Sequence, residues 1–451
     1  MHLTFLGGCE TVTGSKFLLE TKTTRVLIDC GLFQGYKWLR RRNWQPLPLG
    51  IQDVDAIVLT HAHLDHSGFI PVLYKHGFRG PVYTHPATIG LCQLLWPDSG
   101  KLQEEDAKFY HRHQLSRHQN PEPLYSQAMA ESALNLLKPV PFKKTFQIGD
   151  IQFTLHPVGH ILGAASVVAE HGGVRIGFSG DVGRPNDILM MPPEPMPPVD
   201  VLLLESTYGD LRHTEDDPWE QLMDVVNEAA ADGGPLLIPS FSVGRAQLLQ
   251  HMLVTLMAQR KIPRMPIFLD SPMAIKASHV YCNYHEFHRL SAAQCIAAEE
   301  QVIYTPSVDE SKAIASQYGP HIIIAGSGMA TGGRILHHFK HWLADYRTTV
   351  LFSGHQAGGT RGAKMVQGVE RIKVHGEWLP VKAKIRRLNG LSGHADYAEL
   401  GEWLKRSKLP ADMRIYLVHG EPDALEAMSD YLSQTSPYDV HIADYMGVLH
   451  F

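Results

Sequence analysis

No stretch of this 451-residue chain approaches eighteen uninterrupted apolar residues, which leaves no candidate for a membrane-spanning helix. The first residues, MHLTFLGG, lack the basic segment and apolar run of a secretory signal, so the sequence predicts a cytoplasmic protein with no membrane partner. Cysteine is scarce and unpatterned. Its five residues, at 9, 30, 92, 282 and 295, are odd in number, widely spaced and without a CxxC, and fit reduced, mostly buried thiols. Strong charge is missing too: a net charge of −5 does not advertise a polyanion binder. A nucleic-acid partner would need local positive potential, from bound metal or from patches such as Lys37-Trp38-Leu39-Arg40-Arg41-Arg42, which a solvated surface run explains equally well. There is no internal repeat and no low-complexity segment; MMPPEPMPPVD at 190–200 is a proline-rich connector.

What the chain has in excess is histidine, 27 residues, so a histidine carries meaning only through its spacing and neighbours. The length argues for two domains, or one domain with a large insertion. The first part alternates short apolar runs with turns, among them LTFLGG, RVLIDCG, DAIVLT, IQFTLHPVGH, VRIGFSGD and VDVLLLEST, and these strands end in Gly, Asp, His or Thr. Residues 86–137 read as helical around a polar stretch, HRHQLSRHQNPEP, either a solvated surface loop or a mobile loop over a site. After Tyr208 strands and helices alternate: PLLIPS precedes a helix over Val243–Arg260, PIFLDS one over Met273–Leu290, HIIIAGSG one over Gly332–Asp345, and TVLFSG a short Arg361–Val366 segment. That rhythm predicts a parallel sheet flanked by helices. From about Val381 the earlier style returns, so an α/β unit at 210–375 is inserted into an outer domain made of 1–209 and 376–451.

The densest chemistry is THAHLDHSGF at 60–69, directly after the apolar run DAIVLT. Imidazole and carboxylate suit zinc-like divalent ions. His61 and His63, two apart on an extended segment, point the same way and can share one ion; Asp65 and His66, past the turn, can reach a second. Further candidates close other apolar strands: His160 ends LHPVGH, Asp181 ends IGFSGD and His419 ends IYLVH.

With an early LIDCG, the motifs THAHLDHSG, VGH and SGD resemble the metallo-β-lactamase superfamily in its di-metal form. LLLESTYGD, IPSFSVGRAQ, LDSPMA, IIIAGSGMATGGR, GGTRG, SGHAD and LVHGE resemble the β-CASP nucleases, nearest to prokaryotic relatives of the nuclease subunit of the cleavage and polyadenylation specificity factor. The resemblance runs over essentially the whole chain. It implies an α/β fold in which a metallo-β-lactamase αββα sandwich, built from both termini, carries an inserted β-CASP domain. It also implies two Zn2+ ions, with Mn2+ as the alternative occupant: His61, His63 and His160 on one, Asp65, His66 and His419 on the other, and Asp181 bridging both. Asp29 would support the ligands from behind, and Glu205 and His394 match the two further motifs of the β-CASP group.

This inventory makes chemical sense. Two dications about 3.5–4 Å apart can share a bridging hydroxide and steady a phosphate oxygen during in-line attack, which leaves 5′-phosphate and 3′-hydroxyl ends. The leaving 3′-oxygen needs a proton, and a histidine that is not a ligand can give it near pH 7. His394 fits that role with Glu205 keeping it protonated, and Asp181 and Asp65 complete the catalytic set. In GSGMATGGR and HQAGGTRG, backbone N–H groups can take up a phosphate, with Ser327, Thr331, Thr360, Arg361 and Arg245 as the contributing side chains. The expectation is a di-zinc ribonuclease of RNA processing or decay, endonucleolytic, 5′–3′ exonucleolytic or both, acting on single-stranded RNA, with a homodimer left open. The competing readings are a DNA-directed β-CASP nuclease, disfavoured by the histidine of LVHGE; a small-molecule hydrolase, which has no use for the insertion; and a non-catalytic RNA-binding scaffold, disfavoured by the complete ligand set.

Overall fold

The computed structural model describes residues 1–47, 50, 53–112, 121–354 and 356–451. Residues 113–120 of the histidine-rich stretch and His355 of HQAGGTRG lie outside the described residues. The chain divides into two compact units, one of Met1–Asn186, Pro192–Arg212 and Gly393–Phe451, the other of Asp187–Met191 and His213–Ser392.

Among the described residues the first unit holds two seven-stranded sheets. One runs in the order Val448–His450, His2–Gly7, Lys16–Glu20, Arg25–Ile28, Ala56–Val58, Val82–Thr84, Leu137–Pro139. The other runs Asp439–Ile442, Arg414–Val418, Val201–Glu205, Val174–Phe178, Ala165–His171, Ile151–Pro157, Phe146–Ile148. Strand alternation decides which face is buried: along Ile151–Pro157, Ile151, Phe153 and Leu155 turn inward while Gln152 turns out. Phe5, Phe17, Val26, Ile28 and Val58 of the first sheet meet Phe153, Val167, Ile176, Phe178 and Leu203 of the second in one buried core. Each such side chain contributes about 1.5–3 kcal/mol by leaving water. Pro86–Arg112 packs beside Leu137–Pro139, and Pro422–Thr435 covers Arg414–Val418 and Asp439–Ile442, which gives the αββα layering.

The pairing also decides where polar residues collect. Arg25–Ile28 and Ala56–Val58 are parallel neighbours, as are Val174–Phe178, Val201–Glu205 and Arg414–Val418. Within each sheet their C-terminal ends therefore open on one edge, the position where ligand sites of such sheets form. Asp29, His61, Asp181, Glu205 and His419 all stand at or just beyond those ends.

The second unit has a six-stranded, all-parallel sheet in the order Val302–Tyr304, Ile267–Asp270, Ile322–Ala325, Leu236–Pro239, Thr349–Phe352, Lys384–Arg387, with a hairpin of Arg371–Val374 and Glu377–Pro380. Its helices include Arg245–Ala258, Pro272–Asn283, Ile335–Trp342 and Arg361–Val366. Placed at 210–375 from the sequence, this unit takes in His213–Ser392 in the structure. The difference lies in VKAKIRR, whose polar alternation resembles the outer domain. Lys384–Arg387 instead joins the parallel sheet as an edge strand, and Lys384 and Arg386 pair with Glu228 of the helix Pro218–Asp232.

Candidate metal centre

Asp29 is the hub behind the site. It follows the strand Arg25–Ile28 with φ of +58°, a left-handed conformation that Asp tolerates better than most residues. Its carboxylate accepts hydrogen bonds from Thr60 N at 2.7 Å, Thr60 Oγ1 at 2.8 Å and His66 Nδ1 at 2.7 Å. The next turn packs so closely on the ligand loop that a Cβ on Gly31 would sit 1.5 Å from the Asp65 carbonyl oxygen, so only glycine fits there.

The second ring nitrogen of four histidines is fixed by a hydrogen bond, which assigns the tautomer. His61 Nδ1–H donates to Thr60 Oγ1 at 3.0 Å, His66 Nδ1–H to Asp29, His160 Nδ1–H to Gly393 O at 2.9 Å and His419 Nδ1–H to Thr207 Oγ1 at 3.0 Å. Each then directs an Nε2 lone pair inward. His61 Nε2 and His160 Nε2 lie 3.2 and 3.1 Å from His63 Nδ1, and His66 Nε2 lies 3.2 Å from His419 Nε2. One proton on His63 could satisfy one of its two contacts, not both.

Asp181 stands between the two groups. Oδ2 is 3.3 Å from His61 Nε2 and 3.5 Å from His160 Nε2, while Oδ1 is 3.1 Å from His66 Nε2 and 3.6 Å from His419 Nδ1. Buried Oδ1 has no hydrogen-bond partner. Asp65 completes the second group, with Oδ2 at 3.4 Å from His419 Nε2. The donor atoms of His61, His63, His160 and Asp181 lie within 4.8 Å of one another, and so do those of Asp65, His66 and His419. An orphaned buried carboxylate oxygen among convergent lone pairs fits divalent cations held by nitrogen and oxygen ligands.

The electrostatics agree. Burial holds His61 and His160 below the ordinary histidine range and takes His63 down to about 3, so all three offer neutral lone pairs. Burial would raise Asp181, but His419, His66 and His61 outweigh it and keep the carboxyl well below its usual range. Burial opposes the charge on His66 as well, and there Asp181 and Asp29 prevail and draw it up. A cation on Nε2 would take the place of that proton.

Glu205 and His394 adjoin this centre. Glu205, at the end of Val201–Glu205, is buried and accepts from Val182 N and Thr207 Oγ1, each at 2.6 Å. His394 Nδ1–H donates to it at 3.2 Å, which leaves Nε2 4.0 Å from Asp181 Oδ2. Burial would lower His394, yet the Glu205 charge and hydrogen bond, with Asp181 and Asp65, push it up to about 9.

The residues expected to meet phosphate belong to loops of the second unit, where much of their hydrogen bonding is internal. Ser327 Oγ accepts from Thr331 N at 3.0 Å and Gly332 N at 3.2 Å. Thr360 Oγ1 accepts from Ala363 N at 3.1 Å and so caps Arg361–Val366. Arg361 donates to the carbonyls of Thr331 and Lys373, and Arg245 to that of Leu391. Thr331 is exposed. Sequence reasoning passed over Thr60 and Thr207, whose hydroxyls orient His61 and His419; the available signal was their place inside THAHLDH and LLLEST, beside residues already singled out.

Comparison with known proteins finds three family models in succession along the chain. The metallo-beta-lactamase superfamily matches residues 12–240, the Beta-Casp domain 246–365 and the Zn-dependent metallo-hydrolase RNA specificity domain 374–443. A ribonuclease of Thermus thermophilus is 36% identical over 96% of both chains. A transcription termination factor, FttA, of Methanocaldococcus jannaschii is 32% identical over 93% of this chain and 67% of its own length. A solved protein of unknown function from Enterococcus faecalis shares the fold, with a TM-score of 0.58 at 13% identity over 99% of both chains. With the three domains matched in this order along it, the chain belongs to the β-CASP nuclease family of the metallo-β-lactamase superfamily.

Proposed function

We propose that this protein is a metal-dependent ribonuclease that hydrolyses RNA phosphodiester bonds and leaves 5′-phosphate and 3′-hydroxyl ends. The observation that carries the reading is Asp181 lying between two ligand groups, Oδ2 3.3 Å from His61 and Oδ1 3.1 Å from His66, with the His394–Glu205 pair beside it. Relatives named ribonuclease and the RNA specificity domain support RNA as the substrate.

In this reading His61, His63 and His160 would hold one divalent cation and Asp65, His66 and His419 a second, with Asp181 as a ligand available to either. Bound there, zinc or manganese would supply Lewis-acid stabilisation of a phosphodiester under attack by water. The protein's own groups do the rest. Asp29, Thr60 and Thr207 fix the imidazole orientations, so the ligands need no rearrangement. His394 holds a proton at Nε2, turned toward Asp181, and delivers it to the leaving 3′-oxygen; Glu205 keeps the ring charged beforehand and steady during transfer. The loops with Ser327, Thr331, Thr360, Arg361 and Arg245 are part of the same reading as contacts to the RNA backbone, and Thr331→Val should raise KM for RNA if its hydroxyl meets a phosphate.

The test is metal analysis of the purified protein paired with cleavage of an RNA labelled at one end. Bound zinc or manganese and 5′-phosphate products are expected, and the ladder of products distinguishes internal cuts from 5′–3′ trimming. A metal-loaded protein inert towards RNA would sink the reading.

A further inference from the structure

Outside the metal centre, the first unit carries a surface with the chemistry of a single-strand platform. We propose that Tyr36–Trp44, continued by Tyr445, is an exosite for single-stranded RNA engaged at the metal centre; this rests on the ribonuclease reading above.

In a chain of net charge −5, the segment between Asp29 and Asp53 contains Lys37, Arg40, Arg41 and Arg42 and no carboxylate. The helix Lys37–Arg42 is anchored by a single buried residue, Leu39. Asn43 locks its end to the preceding loop, accepting from Phe33 N at 2.9 Å and donating to Phe33 O at 2.7 Å. Tyr36, Lys37, Trp38, Arg40, Arg41 and Trp44 face outward. Tyr36, Trp38 and Trp44 are 65%, 54% and 61% exposed, although large aromatic side chains ordinarily bury most of their surface. Among the described residues the side chains of Lys37, Arg40 and Arg41 make no ion pair or hydrogen bond, whereas Arg42 is pinned among rings, 4.0 Å from the centroid of Tyr445 and 5.1 Å from that of Trp38. The result is a short segment that carries exposed aromatic rings and exposed cations together, with Arg42 held between Trp38 and Tyr445.

That combination selects its occupant. Cations meet phosphates, and exposed rings stack bases irrespective of sequence. An acidic protein segment would use the cations and leave three large rings in water. The platform is also tied to the ligand loop: Cys30 N donates to His66 O at 2.7 Å and Leu32 N to Leu64 O at 2.8 Å. Tyr36 follows Leu32 by four residues, at most ~14 Å of chain. A strand lying on the platform and a phosphate at the metal centre can thus belong to one RNA.

The test compares metal-loaded wild type with Lys37→Ala/Arg40→Ala/Arg41→Ala and with Trp38→Ala/Trp44→Ala, using long single-stranded RNA and a minimal diester, bis(p-nitrophenyl) phosphate. Both variants should turn over the minimal diester as wild type does. For long RNA, removing each ring should weaken binding about tenfold. Removing three cations should reduce the slope of log K against log salt by about 2, at roughly 0.7 per phosphate. Unchanged KM and salt slope in both variants overturns the exosite and leaves the ribonuclease reading standing. A wild type that cleaves the diester but not RNA overturns the ribonuclease reading, and the exosite with it. Polyglutamate competing as strongly as polyuridylate, with no loss in the Trp variant, assigns the surface to an acidic protein and overturns the exosite alone.

Discussion

His394 Nδ1 lies 3.2 and 3.3 Å from the two carboxylate oxygens of Glu205. Val182 N and Thr207 Oγ1 hold Glu205 from the other side, so the protein fixes the plane of the imidazole and the nitrogen that faces the metal centre. His394 Nε2 stands 4.0 Å from Asp181 Oδ2, and its ring centroid lies 4.3 Å from that of His160, beside the ligands but outside the hydrogen bonds that orient them. That separation makes the roles experimentally divisible.

His394→Ala should keep its metal and lose turnover by about 10²–10⁴-fold, the usual worth of a positioned acid. Asp181→Ala should lose both, because Asp181 lies against both ligand groups, 3.3 Å from His61 and 3.1 Å from His66. Metal content by elemental analysis and single-turnover RNA cleavage give the two readouts. Equal metal loss in both variants would contradict the division.

Glu205→Gln tests the charge that keeps His394 protonated. His394, pushed up to about 9, is an acid below that value and loses its proton as pH rises through it, so activity should fall on the basic side. A cation beside Asp181 lowers the working value, since it offsets one of the charges that raise it. Glutamine keeps an acceptor oxygen but no charge, so the basic limb of kcat against pH should move to lower pH by about 1–3 pH units. Superimposable limbs would remove His394 as the titrating group.

Much of this site was legible because its residues share one local pattern: an apolar strand that stops at His or Asp beside a glycine, as at IGFSGD and IYLVH. Hydrophobic patterning locates the strands, and parallel pairing then brings distant ends such as Asp181 and His419 together. Thr60 and Thr207 were not legible as orienting groups, since a hydroxyl next to a strand end has many ordinary uses. The placement of Lys384–Arg387 was not legible either. An edge strand alternates polar and apolar residues whichever sheet it joins, and its partner is identified by its parallel register with Thr349–Phe352, supported by ion pairs to Glu228. The loop around Ser327 read as a ring of open amides, whereas its own serine accepts two of them.

Asp29→Asn should weaken metal binding without unfolding the turn. Asparagine also tolerates the left-handed backbone that Asp29 adopts at φ +58°. The variant loses the negative charge beside His66 and one acceptor oxygen, either Oδ1, which takes Thr60 N, or Oδ2, which takes both Thr60 Oγ1 and His66 Nδ1, so affinity should drop about 10–100-fold. Competition with a chromophoric chelator measures it. Thermal unfolding of the wild type should show stability rising with free metal, by about 2.7 kcal/mol at one hundred times Kd. Stability indifferent to metal would mean that the convergent lone pairs are satisfied without it.

The second unit offers a test of stability rather than chemistry. Asp270, at the end of Ile267–Asp270 and with no solvent exposure, accepts from His338 Nε2 at 2.6 Å, Arg334 Nη1 and Ser311 Oγ at 2.7 Å, and Thr305 Oγ1 at 2.9 Å. Burial alone would raise its carboxyl; the hydrogen bonds from His338, Ser311 and Arg334 outweigh burial and lower it from 3.8 to about 2. Its stabilisation is therefore complete above about pH 4 and is lost as pH falls towards 2. Asp270→Ala leaves Arg334 and His338 facing a vacated buried site and should cost about 3–5 kcal/mol. Asp270→Asn, which keeps one acceptor oxygen, should cost less. Urea unfolding at pH 7 ranks the two variants, and equal stability of wild type and Asp270→Ala would show that Arg334 and His338 find other partners when the carboxylate is gone.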